Sequence, residues 1–363
     1  MSRGDTELVA EAVGELLRDR CTQETVAAAE RTGWASELWA GLAEGGFPWI
    51  SVPEERGGVG GTVAEACAVL EQVGRYAAPL PVAESGLLAG WMSASAGLDV
   101  PAGPVTTAPT ARSVDAPATV TVQRTSSGWA ASGRAARVPW AREANRVVLL
   151  ADSPDGLQVI SLDPATARIE PGVNLAGEPR DTVHLDDVAV DAVAAAPAGV
   201  DHDALLLRGA LSRAALIAGA AGRVLDITVT YTNERRQFGR PVARFQAVAA
   251  HLVKLAEQTE AVRMAARVAA ANGGTASGPW FLDVAAAKTV ASEAAGLVAA
   301  AAHQATGAMG MTREYELGQL TRRLWSWREE YGGELLWSTR LGAALADAGA
   351  DALWPAIARG AVA

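Results

Sequence analysis

The stretch Glu234-Arg235-Arg236-Gln237-Phe238-Gly239-Arg240-Pro241, followed by Phe245-Gln246, decides how this chain is interpreted. Two adjacent guanidinium groups suit a bidentate grip on phosphate oxygens. The aromatic ring beside them can cover the flat face of a planar ligand. The alternative is a solvated helix end, whose arginines pair with Glu234 or with the C-terminal helix dipole. A helix end alone does not require Gln-Phe-Gly-Arg-Pro and then Phe-Gln, so the pattern favours a site for a phosphate-bearing ligand.

A second polar, glycine-containing stretch lies further along the chain and reads Gln304-Ala305-Thr306-Gly307-Ala308-Met309-Gly310. Small residues let the backbone approach a ligand closely, and Gln304 offers an amide for hydrogen bonding. The alternative is a helix–loop–helix turn in which Thr312 caps the second helix. Both interpretations can hold together.

The pattern of hydrophobic and turn residues divides the chain into three regions. Residues 1–98 place hydrophobic side chains at helical spacing. Residues 99–200 change to short alternating segments bounded by Gly, Pro, Ser and Asp, which predicts a small antiparallel barrel or sandwich. Residues 201–363 are helical again, and apolar positions step by three and four from Phe245. The sequence thus predicts an α+β multidomain protein with an N-terminal helical domain, a middle β domain and a C-terminal four-helix bundle.

Composition narrows the classes of partner. The net charge of −10 and a pI of about 5.0 argue against nucleic-acid binding, because contacts to a phosphate backbone need a basic face. The two cysteines, Cys21 and Cys67, are too few and too far apart for a disulfide framework or a metal site. The polar N-terminus predicts no secretory signal, and no apolar run reaches the roughly 18 residues of a membrane span. We therefore expect a soluble cytoplasmic protein.

The order of helical, β and helical regions, together with both motifs, resembles the FAD-dependent acyl-CoA dehydrogenase family over nearly the whole chain. The stretch 234–246 resembles the flavin-diphosphate signature of that family. The stretch 304–310 resembles its Gln-x-x-Gly-Gly-x-Gly loop, with Ala308 in place of the second glycine. The run 53–60, Pro-Glu-Glu-Arg-Gly-Gly-Val-Gly, resembles a motif of the family's N-terminal domain.

The resemblance implies a role for each matching residue. Arg235 would contact the diphosphate of FAD, and Gln237 and Phe238 would hold its adenosine half. Gln304 and Gly307 would approach the same diphosphate–adenosine region. In the family these contacts go to a flavin seated mainly in the neighbouring subunit. The resemblance therefore implies a homo- or heteromeric dimer or tetramer, and a separate flavoprotein as electron acceptor.

The sequence offers more than one candidate for the catalytic base. Family chemistry removes an α-proton from an acyl thioester, which requires a carboxylate with a raised pKa in a dry pocket. Carrying the family spacing across without gaps gives Tyr331, directly before Gly332-Gly333, and Glu329 and Glu330 precede it. A minority of the family places the base near the start of the first long C-terminal helix, but residues 207–210 contain no acid. The prediction is Glu330, with Glu329 or no base as alternatives; both acids could instead pair with nearby arginines.

The residues expected to seat the flavin ring also depart from the family pattern. The stretch Thr106–Asp115 is a degraded match to the family's Thr-Glu-Pro-x-Ala-Gly-Ser-Asp run. Trp140 would cover the ring, but Pro139 lies near the position where the family has a hydroxyl, and proline donates no backbone hydrogen bond. The alternative for Trp140 is ordinary core packing.

Two functional hypotheses follow. The first is α,β-dehydrogenation of an acyl thioester, on coenzyme A or an acyl carrier protein, with Glu330 as base and FAD as hydride acceptor. The second is a non-catalytic subunit of a heteromeric acyl-CoA dehydrogenase, which completes FAD binding for its neighbour. The second follows from the contrast between well-matched adenosine motifs and poorly matched ring and base positions. The same fold turned to other chemistry is a third alternative, supported by analogy only.

Overall fold

The computed structural model describes residues 3–109, 119–126, 128–273 and 280–359. The N-terminal part is helical. A Thr62–Glu65 capping box starts its longest buried helix and satisfies backbone N–H groups there. A π-helical turn at Glu84–Leu88 leads into the last helix of this part. The helices are α1 (Arg3–Arg20), α2 (Gln23–Thr32), α3 (Ser36–Glu44), α4 (Val63–Arg75) and α5 (Ala89–Ser95).

The middle part is one sheet with its own hydrophobic core, built from inward-facing side chains such as Val122 and Leu149. Its strands are β1 (Val105–Thr107), β2 (Thr119–Thr125), β3 (Gly128–Pro139), β4 (Arg146–Ser153), β5 (Gly156–Leu162), β6 (Arg168–Glu170), β7 (Arg180–Ala189) and β8 (Ala192–Ala195). The spatial order is β6-β7-β3-β2-β4-β5-β8, with β1 beside β4.

The sheet is mixed, whereas the sequence predicted an antiparallel one. Most neighbours are antiparallel, but β1 and β2 each pair with β4 in parallel. The hairpin partner β3 occupies one edge of β2, so β4 meets the remaining edge in the same direction as β2. Alternation of apolar residues cannot distinguish these two directions, because it reports only which face of a strand is buried.

The C-terminal part is a helical bundle joined by a small hairpin, β9 (Arg236–Gln237) and β10 (Arg240–Pro241). Its helices are α6 (His202–Glu234), α7 (Gln246–Ala271), α8 (Trp280–Thr306), α9 (Leu317–Glu329), α10 (Glu334–Ala348) and α11 (Ala350–Arg359). Helix α6 lies at the centre and also packs against α4. A Cβ on Gly219 would lie only 1.7 Å from the Glu71 carbonyl oxygen, so glycine allows this close approach. The predicted order of helical, β and helical parts is confirmed.

Two helices are long and apolar enough to cross a membrane by length and composition, contrary to the expectation from the sequence. They are His202–Glu234 and the run Trp280–Met311. In their most apolar windows, 83% and 61% of the residues are buried inside the protein. Burial on this scale is what core helices of a soluble protein show, and the neighbours that cover α6 are α4, α7, α8 and α9.

Candidate functional site

The opening motif forms an exposed tip at the end of α6. Phe238 and Gly239 both have positive φ, 50° and 81°, which gives a tight two-residue turn between β9 and β10. The side chains of Arg235 and Gln237 are exposed, and Phe238 is 90% exposed. Phe245 packs edge-on against Phe238, with ring centroids 6.0 Å apart. A large aromatic side chain held out from the protein in this way is suited to contact with a ligand or another subunit.

The second motif lies at the same end of the bundle. Gln304 is exposed on the last turn of α8, and a 3-10 helix at Gly307–Met311 follows. Gly307 has φ of +59°, and a Cβ added there would meet nothing within 4 Å, so its backbone is open to approach. Tyr315 ties this loop to α6, because its hydroxyl donates to the Ile227 carbonyl (2.8 Å). The alternative drawn from the sequence was that Thr312 caps the next helix. Thr312 does not cap it, because α9 begins only at Leu317.

A buried cluster of charges lies where the three parts of the chain meet. We call it the junction cluster. It draws one or more residues from α2, the π-helical turn, the approach to β7, α6, α9 and the turn after α9. Its members are Glu30, Glu84, Glu178, Arg180, Arg213, Arg323 and Glu330.

Glu330, the predicted catalytic base, is a central member of this cluster. Arg180 donates to both of its carboxylate oxygens (2.8 and 3.1 Å), and Arg213 Nε donates to Oε2 (2.7 Å). Asn174 adds a longer hydrogen bond of 3.3 Å. Burial opposes ionisation of Glu330, but the charges of Arg180 and Arg213 and these hydrogen bonds outweigh it and lower its pKa to about 2. A carboxylate held this way is a poor proton acceptor, so the geometry argues against the predicted role as base.

The other members are also held in ion pairs. Arg213 Nη2 donates to Glu84 Oε1 (2.7 Å), so one guanidinium joins carboxylates from the N-terminal part and the bundle. Glu178 Oε2 accepts from Arg180 (3.1 Å) and from the Trp327 indole (3.2 Å). Fully buried Arg323 lies 3.1 Å from both Glu178 and Glu30. Each buried charge therefore has a partner, as low polarity requires.

Trp140 is packed inside the chain. Its side chain is 3% exposed, and its indole Nε1 donates to the Gly33 carbonyl (3.0 Å). The guanidinium of Arg180 lies 4.9 Å from the indole centroid, so one face of the ring is occupied within the chain. This setting favours the alternative of core packing and argues against the predicted role of Trp140 at the flavin. Of the degraded ring-seating match, Thr106 and Thr107 are buried on β1, and residues 110–115 lie outside the described residues.

Tyr331 occupies the position that the family spacing gives for the catalytic base. Its ring packs against Arg213 and α6. It has φ of +56°, is 1% exposed and stacks over the guanidinium of Arg213 at 4.9 Å. Its ring lies directly against the backbone of Gly209 on α6. A cavity of about 10 Å³ remains at the junction, lined by Glu84, Trp140, Arg180, Arg213 and apolar neighbours. That is at the lower limit for one water molecule and far below the volume of a thioester.

The family assignment now has independent support. The acyl-CoA dehydrogenase N-terminal domain family matches residues 4–98, and the acyl-CoA dehydrogenase C-terminal domain family matches residues 202–333. The chain belongs to the acyl-CoA dehydrogenase family. The resemblance drawn from the motifs is confirmed, and with it FAD as the cofactor that this family binds.

Similar acyl-CoA dehydrogenases cover almost the full chain. The acyl-CoA dehydrogenase IpdE2 of Mycolicibacterium smegmatis is 29% identical over 321 residues, 86% of this chain and 90% of the relative. The ChsE4–ChsE5 complex of Mycobacterium tuberculosis contains a chain with a TM-score of 0.83 and 23% identity, aligned over 96% of this chain and 98% of that one. The Tcur3481–Tcur3483 steroid ACAD contains a chain with a TM-score of 0.82 and 26% identity, aligned over 96% of this chain and 99% of that one.

The described residues fit one half of FAD and not the other. At the exposed end, Arg235, Gln237 and Gln304 offer donors, Phe238 offers a ring face, and Gly307 an open backbone. These features suit a diphosphate and an adenosine, and the individual contacts stay predictions. At the junction, Arg180 covers one face of Trp140 and pairs with Glu330, and Tyr331 is packed against Arg213 and Gly209. This arrangement does not suit a flavin ring with a thioester above it.

Sequence reasoning missed Arg180 and Arg213, the two arginines that pair with Glu330. Glu330 and Arg180 are 150 residues apart, and Arg213 and Glu84 are 129 apart, so no local spacing connects them. One signal was present: Arg213 is a single charge within a long apolar run of α6, Leu211 to Ala221. Charged residues are almost never fully buried unless they are paired, so such a position indicates a distant partner.

The contact between Tyr331 and Gly209 gives a first prediction. A Cβ at residue 209 would lie 2.0 Å from Tyr331 Cδ1. Gly209→Ala is therefore expected to destabilise the chain by about 1–3 kcal/mol, the usual range for overpacking. Urea unfolding followed by tryptophan fluorescence measures this loss. In the Tyr331→Ala background the same substitution should be nearly neutral; an equal loss in both backgrounds would show that the ring does not fill this space.

Proposed function

We propose that this chain is a non-catalytic subunit of a heteromeric acyl-CoA dehydrogenase, which supplies part of the FAD site of its neighbour. One observation carries the proposal: Glu330 is held by Arg180 and Arg213, and Tyr331, at the position that the family spacing gives for the base, is buried against Gly209. The chain would contribute Arg235, Gln237, Phe238, Gln304 and Gly307 to the adenosine and diphosphate half of a flavin in its partner.

The exposed motif end supports the binding half of the proposal. Among the described residues, no ion pair or hydrogen bond involves the side chains of Arg235, Gln237 or Gln304. Phe238 packs against Phe245, and Arg240 stacks on Phe245. Two of the similar structures, ChsE4–ChsE5 and Tcur3481–Tcur3483, are named as pairs of proteins. A homologous partner with a complete ring site and base is therefore the expected neighbour.

The division of labour follows from the chemistry. FAD, when bound, accepts a hydride from the β-carbon of an acyl thioester as the α-proton is removed. This chain's residues would neutralise the diphosphate charge and hold the adenosine, while the partner would bind the thioester and supply the base. A soluble flavoprotein would then receive the electrons.

The competing function is autonomous dehydrogenation with Glu330 as base. It would require both Arg180 and Arg213 to leave the carboxylate, and its pKa to rise from about 2 towards neutrality. It would also require Tyr331 to leave its position against Gly209. These are three coupled rearrangements of buried groups, so the geometry supports the partner-subunit function better.

The test is to purify the chain from its own cells under mild conditions and identify any co-purifying subunit. Flavin absorbance and acyl-CoA-dependent dye reduction are then measured on the complex. In the complex, Glu330→Gln and Tyr331→Phe are each expected to change the rate per bound flavin by less than twofold. A loss of a hundredfold or more in Glu330→Gln, or a yellow and active chain on its own, would instead establish autonomous catalysis.

A further inference from the structure

Arg208 has an unusual setting near the start of α6. Its side chain is half-buried, with Cζ 4.2 Å from the ring centroid of Trp91 on α5 and 5.4 Å from that of Trp280 on α8. Trp280 is fixed by a hydrogen bond from its indole to the Ala269 carbonyl (3.0 Å). Within the described part of the chain, Arg208 has no ion pair and no hydrogen bond. Burial lowers the pKa of Arg208 to about 9.

Comparable arginines in the same protein are paired. Four others stack on aromatic rings and are buried or half-buried, and each contacts a carboxylate. Arg180 and Arg213 pair with Glu330, Arg328 with Glu329, and Arg340 with Asp203. Among the stacked, shielded arginines of the described residues, Arg208 is the exception. A guanidinium taken partly out of water without an anion is costly, so the site is incomplete as the chain stands.

The immediate surroundings in the sequence do not supply the missing charge. Residues 274–279, which precede Trp280, contain no Asp or Glu. Cys67 on α4 is close enough to interact electrostatically with Arg208, but burial raises the pKa of that thiol to about 12, so it stays neutral. The site therefore offers one positive charge, a planar set of N–H donors and two indole rings.

We propose that Arg208, Trp91 and Trp280 form a binding site for a single carboxylate group attached to an apolar body. A carboxylate matches the guanidinium edge with two parallel hydrogen bonds, while the indoles hold the guanidinium faces and surround the apolar part. One cation balances a monoanion, whereas a phosphate dianion would be left with unpaired charge.

This site is separate from the flavin motif, and only its partner-subunit alternative rests on the proposed function. Arg208 and Arg235 are 27 positions apart along α6, which corresponds to about 40 Å of helix. The carboxylate has two sources: a small free acid, or an Asp or Glu side chain of the partner subunit. Both use the same chemistry, and the experiment separates them.

The experiment titrates the purified full chain with sodium benzoate, sodium acetate and sodium phosphate at constant ionic strength, followed by tryptophan fluorescence and calorimetry. Benzoate is expected to bind saturably and at least tenfold more tightly than acetate, and phosphate not to bind. Arg208→Gln should weaken benzoate binding at least tenfold. Arg340→Gln, which removes an arginine that is also stacked on two rings but already paired, should leave it unchanged.

Arg208→Lys tests the bidentate contact, and the complex with the partner subunit separates the two sources of the carboxylate. Arg208→Lys keeps the charge but loses the bidentate edge, so it should bind benzoate more weakly than the unaltered chain and more tightly than Arg208→Gln. If the partner's side chain is the ligand, benzoate binds the isolated chain and not the complex; a free acid binds both. The proposal is overturned if the isolated chain shows no saturable benzoate binding, if phosphate binds as tightly, or if folded Arg208→Gln binds normally.

Discussion

Arg213→Leu is expected to destabilise the chain by about 3–5 kcal/mol, a large part of the roughly 5–15 kcal/mol that keeps an ordinary domain folded. The guanidinium is 1% exposed and contacts Glu84 and Glu330 at 2.7 Å each. Leucine fills part of the volume but leaves two buried carboxylates without this partner. Removing one member of a buried pair strands the other charge in a medium that solvates it poorly. Urea unfolding, followed by tryptophan fluorescence, measures the loss.

Two further variants separate charge from packing. Arg75→Leu breaks the ion pair with Asp226, whose side chains are 31% and 49% exposed, and should cost less than about 1 kcal/mol. Glu84→Gln in the Arg213→Leu background removes one stranded charge and should restore part of the stability. An Arg213→Leu protein within about 1 kcal/mol of the unaltered chain would contradict a buried, fully paired cluster.

Arg235→Ala is expected to remove FAD from the complex with the proposed partner. Hydrogen bonds to a charged group contribute about 1.5–3 kcal/mol, which corresponds to a loss of roughly 10- to 150-fold in affinity. Because Arg235 is exposed and ends α6, its side chain makes little contribution to the fold, and the thermal unfolding midpoint should stay within about 2 °C. The ratio of flavin absorbance to protein after gel filtration, and a fluorescence titration with FAD, measure the effect.

The matched control for Arg235→Ala is Arg168→Ala, which removes an equally exposed guanidinium on β6 of the middle part. It changes the net charge by the same amount, so any general electrostatic loss of the anionic cofactor would appear in both variants. Full flavin retention in Arg235→Ala, with the complex intact, would exclude the contact that the family motif implies.

The sequence was informative where function depends on neighbours in the chain. The break in a long helix at Gly239–Pro241 could be predicted, because Gly and Pro interrupt helices, but the exposed hairpin that forms there could not. The long helices could be predicted because apolar positions repeat at helical spacing. Alternating segments likewise identified most strands of the sheet, although not the direction of β4 relative to β2.

The junction could not be predicted in the same way. Glu330 was singled out as the catalytic base, but its chemistry is set by Arg180 and Arg213, which are distant in the chain. Spacing placed Tyr331 at the base position without showing that its ring would lie against Gly209. The pKa of a carboxyl group depends on burial and on charges within a few ångströms, and neither is a local property of the sequence.

The junction cluster also has a consequence for how the molecule comes apart. Glu84 belongs to the N-terminal part, Arg180 to the sheet, and Arg213 and Glu330 to the bundle, so each of the three parts contributes to shared buried ion pairs. Detaching any one part would leave charged side chains of the other parts without their ion-pair partners. The chain is therefore expected to melt in one cooperative calorimetric transition, although its three-part architecture would allow stepwise unfolding.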